Sequence, residues 1–471
     1  MLEILERING IVWGVPALIL IVGVGIYLTL RTGLAQITLF PKAMRLFWKK
    51  LWGRKEDKHG TSAYRALCTA LAATVGTGNL AGVAGAIAIG GPGSIFWMWI
   101  CAFLGMVTKY AEATLAVRYR SKNTNSEYVG GPMYLICNGL GHRWNWLAYV
   151  YCFFGVAASF GVGNATQVNA VVGGINSTFS CFGLQQTVAG NWIIGIILAA
   201  LVAFMLLGGA KRIGSMAERL VPFASLLYIL LAVGVLSVRL DRIGSAFMAI
   251  FHGVTSPLAV TGGVLGSAFQ SLRVGASRGV FTNEAGMGTA SIAHAAAEVE
   301  HPAEQGLMGI VEVFLDTIVI CTLTALVILC SGVPVPYGTD AGVLLTTEAF
   351  SSIYGSWIAL PISVALCCFA FATILGWGLY GARCAQYLFG DNVWKPYAIL
   401  QALVVIVGAV MNTGTVWLIS EIFNGLMAIP NLVVLALLSP ELNRLTLQYR
   451  KLTARKKTNI KILTFSHIML K

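Results

Sequence analysis

Charge is what this sequence has least of. Asp, Glu, Lys and Arg make up only 11% of 471 residues, roughly half the share found in water-soluble proteins. Hydrophobic residues reach 57% and the mean hydropathy is +0.77. A soluble core cannot bury that much apolar length, so the composition excludes a soluble domain and fits a helical protein that crosses a membrane many times. Acidic residues are scarcer still, 19 against 32 Lys and Arg, which leaves a net charge of +13. Catalytic patterns are missing too. No HExxH or paired acidic stretch lies within the apolar segments, which argues against a membrane-embedded enzyme. Neither a repeated pore segment nor a ring of charge is present, which argues against a channel. His252, His294 and His301 have no Cys or acidic partner at ligand spacing, so no metal site is read from them. The cysteines, among them Cys101, Cys152, Cys321, Cys330, Cys367 and Cys368, fall mostly inside apolar runs and read as small buried hydrophobes.

What is present is a series of long apolar segments. Eleven spans are expected, at roughly 10–30, 64–88, 93–119, 146–172, 190–208, 216–239, 256–276, 306–331, 356–386, 394–413 and 416–437. The first follows Glu3, Glu6 and Arg7, lacks a cationic leader, and reads as a retained helix, not a signal peptide. Residues 31–58 carry eight Lys/Arg interleaved with Phe47, Trp48, Leu51 and Trp52, the pattern of an amphipathic helix on a membrane surface. With the N-terminus outside, the cytoplasmic segments receive those eight, then Arg118, Arg120 and Lys122, Lys211 and Arg212, and eight more from Arg444 to Lys471. The outer side keeps Arg7, Arg239 and Arg242. This asymmetry follows the positive-inside rule and accounts for the basic balance without a nucleic-acid partner. A multi-pass protein of the inner (cytoplasmic) membrane is expected, its C-terminus cytoplasmic and its partners membrane lipid and a small solute.

The segment from Ala66 to Thr108 carries no charge, yet Thr74-Val75-Gly76-Thr77-Gly78-Asn79 interrupts it. Each glycine costs a helix about 1 kcal/mol relative to alanine, and small polar side chains offer the backbone other partners. Unwound backbone at membrane depth is tolerated only inside protein or beside a watery cavity. Either the helix breaks here to form a polar site, or the glycines let two helices pack closely. A second interruption, Val260-Thr261-Gly262-Gly263-Val264-Leu265-Gly266, opens the seventh expected span. With the first span set aside, the other ten divide into five and five, and the two interruptions begin the two halves from opposite membrane faces. Paired breaks of this kind mark the central site of inverted-repeat transporters. The expected organisation is an N-terminal helix and basic segment (1–63), a first five-helix repeat (64–245), a second, inverted repeat (246–440) and a basic cytoplasmic tail (441–471).

Several stretches carry a more specific likeness. Gly76-Thr77-Gly78-Asn79 and Gly90-Gly91-Pro92-Gly93-Ser94-Ile95-Phe96-Trp97-Met98-Trp99 resemble the signature of the sodium:alanine, or alanine/glycine:cation, symporters. So do Thr108-Lys109-Tyr110-Ala111-Glu112, Gly130-Gly131-Pro132-Met133-Tyr134 and the run from Arg278 to Gly288, with Phe314-Leu315-Asp316-Thr317 and Thr373-Ile374-Leu375-Gly376-Trp377. The resemblance spans nearly the whole chain. It implies an all-α leucine-transporter-like fold of two inverted five-helix repeats plus one extra N-terminal helix, and uptake of a small neutral amino acid driven by Na+ or sometimes H+. Symport of another small solute, such as serine or a nucleobase, is the alternative.

Site chemistry follows from the zwitterion such a protein would carry. Amides freed at Thr77 and Gly78, at the positive end of the following half-helix, suit a carboxylate. Carbonyls near Ala73–Thr74 and near Gly262 and Gly263 suit an ammonium group. Gln167, in the polar stretch from Gly161 to Gln167, either joins them or hydrogen-bonds between helices. Gly163 in that stretch would let substrate approach closely, and Phe269 either walls the pocket or packs elsewhere. The resemblance places a Na+ between carbonyls of Ala72 and Val75 and the ninth span at Ala370 and Thr373, whose hydroxyl also lines the substrate site. Asp316, deep within its span, must be paired, cation-bound or protonated. It either completes a second cation site with Thr317 and Asn79 or makes a structural hydrogen bond. Lys109 and Glu112, three residues apart, are expected to pair or snorkel near a helix end. Arg273, Arg278 and Glu284 are expected to flank the cytoplasmic end of the second broken helix, where they either form an inner-gate ion-pair network or simply satisfy the positive-inside rule.

Overall fold

The computed structural model describes residues 2–53, 61–124, 126–184, 186–255, 264–339, 342–411 and 414–469. Among them the architecture is helical, with one two-stranded ribbon pairing Ser121–Lys122 and Tyr128–Val129. Among the described residues eight helices are long and apolar enough to cross a membrane, or nine spans when the bent pair Ala63–Thr74 and Gly78–Gly90 is counted as one. The other two expected spans fall on Trp394–Gly408, only 15 residues, and on Val264–Asn283, which is less apolar.

The elements that position the site are α1 (Val15–Arg31), α2 (Ala63–Thr74), α3 (Val83–Gly90), α4 (Gly93–Tyr119), α5 (Asn145–Phe160), α6 (Thr166–Cys181), α7 (Val264–Asn283), α8 (Thr289–His294), α9 (Pro302–Val313), α10 (Thr322–Ser331), α11 (Ala359–Phe389), α12 (Gly414–Leu437) and α13 (Ser439–Met469). Helix α2 begins at Ser62, whose side chain accepts from Arg65 N at 3.1 Å, satisfying one of the amides a helix start leaves without a partner. It ends at Val75, which is extended (φ −77°, ψ 96°). The chain then turns by 52° into the wide-wound segment Gly78–Gly82 and α3.

The second broken helix is α7, a five-residue interruption, and α8. Gly286 (φ +95°) and Gly288 (φ +80°) adopt left-handed backbone that side chains disfavour, and Glu284 (φ 55°) starts the turn. This break lies at 284–288. Of the interruption expected at 260–266, residues 260–263 lie outside the described residues and 264–266 open α7. Thr282, Asn283 and Glu284, at the start of this break, are all buried.

Three contacts fix the relative course of the two broken helices. Val274 packs on Gly90, Thr282 faces Gly78 and Gly82, and Thr61 bridges to Ala297, with Glu298 N donating to the Thr61 carbonyl at 2.9 Å. The helices therefore run antiparallel with their breaks at the same depth. Helix α11 closes on them from one side: a Cβ on Gly376 would stand 2.9–3.0 Å from Cβ, Cα and N of Ala73, so only glycine allows this approach.

The basic tail is less free than its composition suggests. Leu442, Leu445, Thr446 and Tyr449 of α13 are buried, and Tyr110 of α4 bonds Thr446 at 2.9 Å. Arg450 donates to the carbonyls of Thr32 and Gly33 at 2.9 and 3.0 Å, satisfying the C-terminal end of α1. In the basic segment near the N-terminus, helix Phe40–Trp52 buries Ala43 and Phe47 and leaves Trp48 and Trp52 exposed. Its Phe40 meets Phe314 edge-to-face at 5.0 Å. One face of this amphipathic helix thus lies against the bundle.

Candidate functional site

At the first break Gly76 N donates to Asn79 Oδ1 at 2.8 Å, in place of the Ala72 carbonyl that would continue the α2 ladder. Ala72 and Val75 are themselves buried, so their carbonyls lie inside the protein at a point where regular winding has stopped. Thr373 of α11 stands directly across: a Cβ on Gly76 would lie 2.6 Å from Thr373 Oγ1. That hydroxyl donates back to the Phe369 carbonyl at 3.0 Å, which orients its lone pairs and leaves them available. Ala370 is fully buried one turn earlier on the same helix. The donor set is all hard oxygen, carbonyl and hydroxyl, the set a Na+ prefers.

Gln167 spans the gap between the first break and the fourth expected span. Its Oε1 accepts from Thr77 Oγ1 at 3.1 Å, and its Nε2 donates to the Val162 carbonyl at 3.1 Å. Val162 lies in Gly161–Ala165, a second wide-wound segment. A third, Phe314–Cys321, carries Asp316 between α9 and α10. Such i→i+5 winding is rare and concentrates at functional sites; of the four such segments among the described residues, Gly78–Gly82 contains part of the first break, Gly161–Ala165 and Phe314–Cys321 adjoin side chains that bond to it, and Ile136–Leu140 lies elsewhere.

Asp316 is fully buried. Its Oδ1 accepts from Asn79 Nδ2 at 2.7 Å and its Oδ2 from Thr317 Oγ1 at 2.8 Å. Asn283 Nδ2 donates to Thr317 Oγ1 at 3.2 Å, and Asn283 Oδ1 accepts from Ala285 N at 3.0 Å. One continuous chain of hydrogen bonds therefore links Gly76 N at the first break to Ala285 N at the second, through Asn79, Asp316, Thr317 and Asn283. Burial of a carboxylate demands this degree of satisfaction.

Other expected site residues are distributed differently. Thr74 turns its hydroxyl back toward the carbonyls of Ala70 and Leu71. Gly78 faces Thr282, whose nearest atoms lie 3.6–3.7 Å from where a Cβ would stand. Gly163 does not face open space: a Cβ there would meet Trp377 Cβ at 2.3 Å, so this glycine admits a tryptophan, not a substrate. Phe269 is 48% exposed. It precedes Thr282 by 13 helical residues, about 20 Å at 1.5 Å per residue, and so stands far from the breaks. Gly262 and Gly263 lie outside the described residues. Lys109 and Glu112 neither pair with each other nor snorkel. Lys109 Nζ meets Glu312 Oε1 at 3.0 Å, both side chains being fully buried, and Glu112 accepts from Gly286 N and Gly288 N.

Sequence reasoning missed the groups that hold the second break. Trp377 Nε1 donates to Glu284 Oε1 at 2.8 Å, and Thr289 Oγ1 donates to Glu284 Oε2. Trp377 and Glu284 sit in motifs that carried the family likeness, so a signal was there, but the charge of Glu284 pointed to a membrane surface.

Comparison with known proteins agrees with this geometry. The family model of the sodium:alanine symporter family matches residues 1–462. The sodium/alanine symporter AgcS of Methanococcus maripaludis is 42% identical over 442 residues, covering 93% of this chain and 94% of that protein. The amino-acid carrier protein AlsT of Bacillus subtilis is 36% identical over 422 residues, covering 89% and 86%. Among solved structures, MhsT in complex with L-phenylalanine superposes with a TM-score of 0.55 at 15% identity, covering 82% of this chain and 97% of MhsT. That likeness establishes a leucine-transporter fold. A multi-pass membrane protein with two antiparallel broken helices and this sequence likeness belongs to the sodium:alanine symporter family.

Proposed function

We propose that the protein imports a small neutral amino acid, alanine or glycine, together with Na+ by alternating access. One observation carries the reading: two antiparallel helices lose their winding side by side, at the same depth, beside hydroxyl and amide groups suited to a zwitterion and its driving ion. The substrate carboxylate meets the Thr77 and Gly78 amides at the positive end of the following half-helix. The ammonium meets carbonyls near Ala73–Thr74 and the Gln167 Oε1 that already accepts from Thr77. Thr282, opposite Gly78, bounds the space left for the side chain, which favours a methyl group or hydrogen.

Na+ takes carbonyls of Ala72, Val75 and Ala370 with the Thr373 hydroxyl. It ties α2 to α11, which are already in backbone contact at Ala73 and Gly376. Asp316 with Asn79 offers a second cation position. The N-terminus lies outside and the C-terminus in the cytoplasm, an orientation that the distribution of Lys and Arg supports. Uptake of radiolabelled alanine, glycine, serine and uracil into proteoliposomes, under an inward Na+ gradient, an inward proton gradient or neither, tests the proposal. Alanine or glycine uptake that follows the Na+ gradient supports it. Uptake driven by protons alone would replace the coupling ion, and indifference to all the amino acids would remove the substrate assignment.

A further inference from the structure

Beneath the second break lies a buried charged cluster that the transport reading does not use. Glu112 of α4, Glu284 of the break and Glu312 of α9 are at most 3% exposed, as are Lys109 and His294. Lys109 satisfies Glu312 Oε1, and His294 Nε2 meets Glu312 Oε2 at 2.8 Å. His294 Nδ1 meets the side-chain amide of Gln305 at 2.6 Å. Three carboxylates therefore gather around one lysine and one histidine. Glu284 has a donor on each oxygen. Glu112 Oε1 has three: Gly286 N at 2.9 Å, Gly288 N at 3.0 Å and Asn431 Nδ2 at 2.8 Å.

Glu112 Oε2 is the exception, a buried oxygen with no hydrogen-bond partner, and Asn431 Oδ1 is another. These leftover oxygens belong to two groups already bonded to each other through Oε1 and Nδ2. Turning the Asn431 amide around does not help, because Nδ2 also donates to the Gly286 carbonyl at 2.9 Å and an oxygen in its place would face that carbonyl. One hydrogen on Oε2 would give both leftover oxygens a partner: it would donate to Asn431 Oδ1 while Asn431 Nδ2 donates to Oε1, the cyclic arrangement of a carboxylic acid and an amide. It would also remove one negative charge from the cluster, where burial is costly.

We propose that Glu112 is a proton-binding site, protonated on Oε2 in this state and paired with Asn431 across the second break. Loss of the proton sets two acceptors against each other and loosens α12 from the Gly286–Gly288 turn, so the closure of this face depends on pH. The titratable and charged groups around Glu112 are Lys109 on its own helix, Glu312 on α9, Tyr151 on α5 and Tyr380 on α11, with Glu284 of the break beside the same two tyrosines and His294 reaching it through Glu312.

The test is thermal melting of the purified full-length protein in detergent across pH, wild type against Glu112→Gln and Glu112→Ala, without substrate or ion gradient. The readout is thus independent of what the protein carries. Glutamine mimics the protonated acid: its oxygen accepts from Gly286 N and Gly288 N while its NH2 donates to Asn431 Oδ1. Glu112→Gln is expected to melt with wild type at acid pH and above it at alkaline pH, because a folded state that holds a proton the unfolded chain gives up loses stability as pH rises. Glu112→Ala is expected to melt lower throughout. Parallel curves for wild type and Glu112→Gln, or a Glu112→Gln protein that melts as low as Glu112→Ala or fails to fold, would overturn the proposal.

Discussion

Replacing Gly76 by alanine adds one methyl group where the proposed ion site has least room. The new Cβ would stand 2.6 Å from Thr373 Oγ1, 3.6 Å from Thr373 Cβ and 3.7 Å from Gln167 Oε1, and the first of these distances cannot persist. Thr373 has little freedom to yield, since a β-branched side chain in a helix is stiff at χ1 and its hydroxyl is held on the Phe369 carbonyl. Helix α11 must give way. Overpacking of this kind costs about 1–3 kcal/mol, against roughly 0.4–1 kcal/mol gained by stiffening the unfolded chain. Global stability therefore changes little, by about 0–2.5 kcal/mol. The displaced oxygen is the proposed Na+ ligand, so the strain appears chiefly in ion affinity, as a rise of about 5- to 150-fold in the Na+ concentration for half-maximal transport. The assay is alanine uptake in proteoliposomes as a function of Na+, with melting temperature measured in parallel. An unchanged Na+ activation curve in a normally folded Gly76→Ala protein would refute the assignment of Thr373.

Three further outcomes are expected. Gly78→Ala fits, since its Cβ would meet Thr282 at ordinary contact distance, whereas Gly78→Leu abolishes alanine binding in a protein that still inserts; equal affinities measured by radioligand binding would dismiss the carboxylate position. Lys109→Met strands Glu312 and lowers stability by about 3–5 kcal/mol, and adding Glu312→Gln recovers most of it, as melting of the single and double variants will show. Asp316→Asn leaves oxygen and amide on a side chain of the same shape but removes the charge beside Asn79. If Asp316 binds a cation, the number of ions carried per alanine falls by one in a reversal-potential measurement, and an unaltered ratio leaves Asp316 as the hydrogen-bonded link between the breaks.

How much of this was legible in the chain depended on whether a polar group announced itself through its neighbours. The first break was readable because Gly76, Gly78 and Asn79 interrupt a segment free of charge for over forty residues, and nothing local competes with that contrast. Gln167 and Asp316 stood out for the same reason, as polar groups in apolar surroundings. The break at 284–288 was not read because its glycines, Gly286 and Gly288, are preceded by Arg278 and Glu284, and local charge reads as water. Only the tertiary structure supplies Trp377, Thr289 and the Glu112 carboxylate that make this segment stable when buried. Gly163 and Phe269 failed differently. A glycine that admits substrate and one that admits Trp377 look alike in a sequence, and a phenylalanine thirteen residues from Thr282 shares its helix without sharing its depth.

The central claim is that two unwound segments at one depth clasp an amino acid and its ion. Structure determination with alanine and Na+ bound tests it most directly. The account predicts density for the zwitterion against the Thr77 and Gly78 amides, beside Gln167 and Thr282, with Na+ against the Ala72 and Val75 carbonyls and Thr373 Oγ1. Substrate density away from residues 75–78, or regular winding through both 74–78 and 284–288, would contradict it.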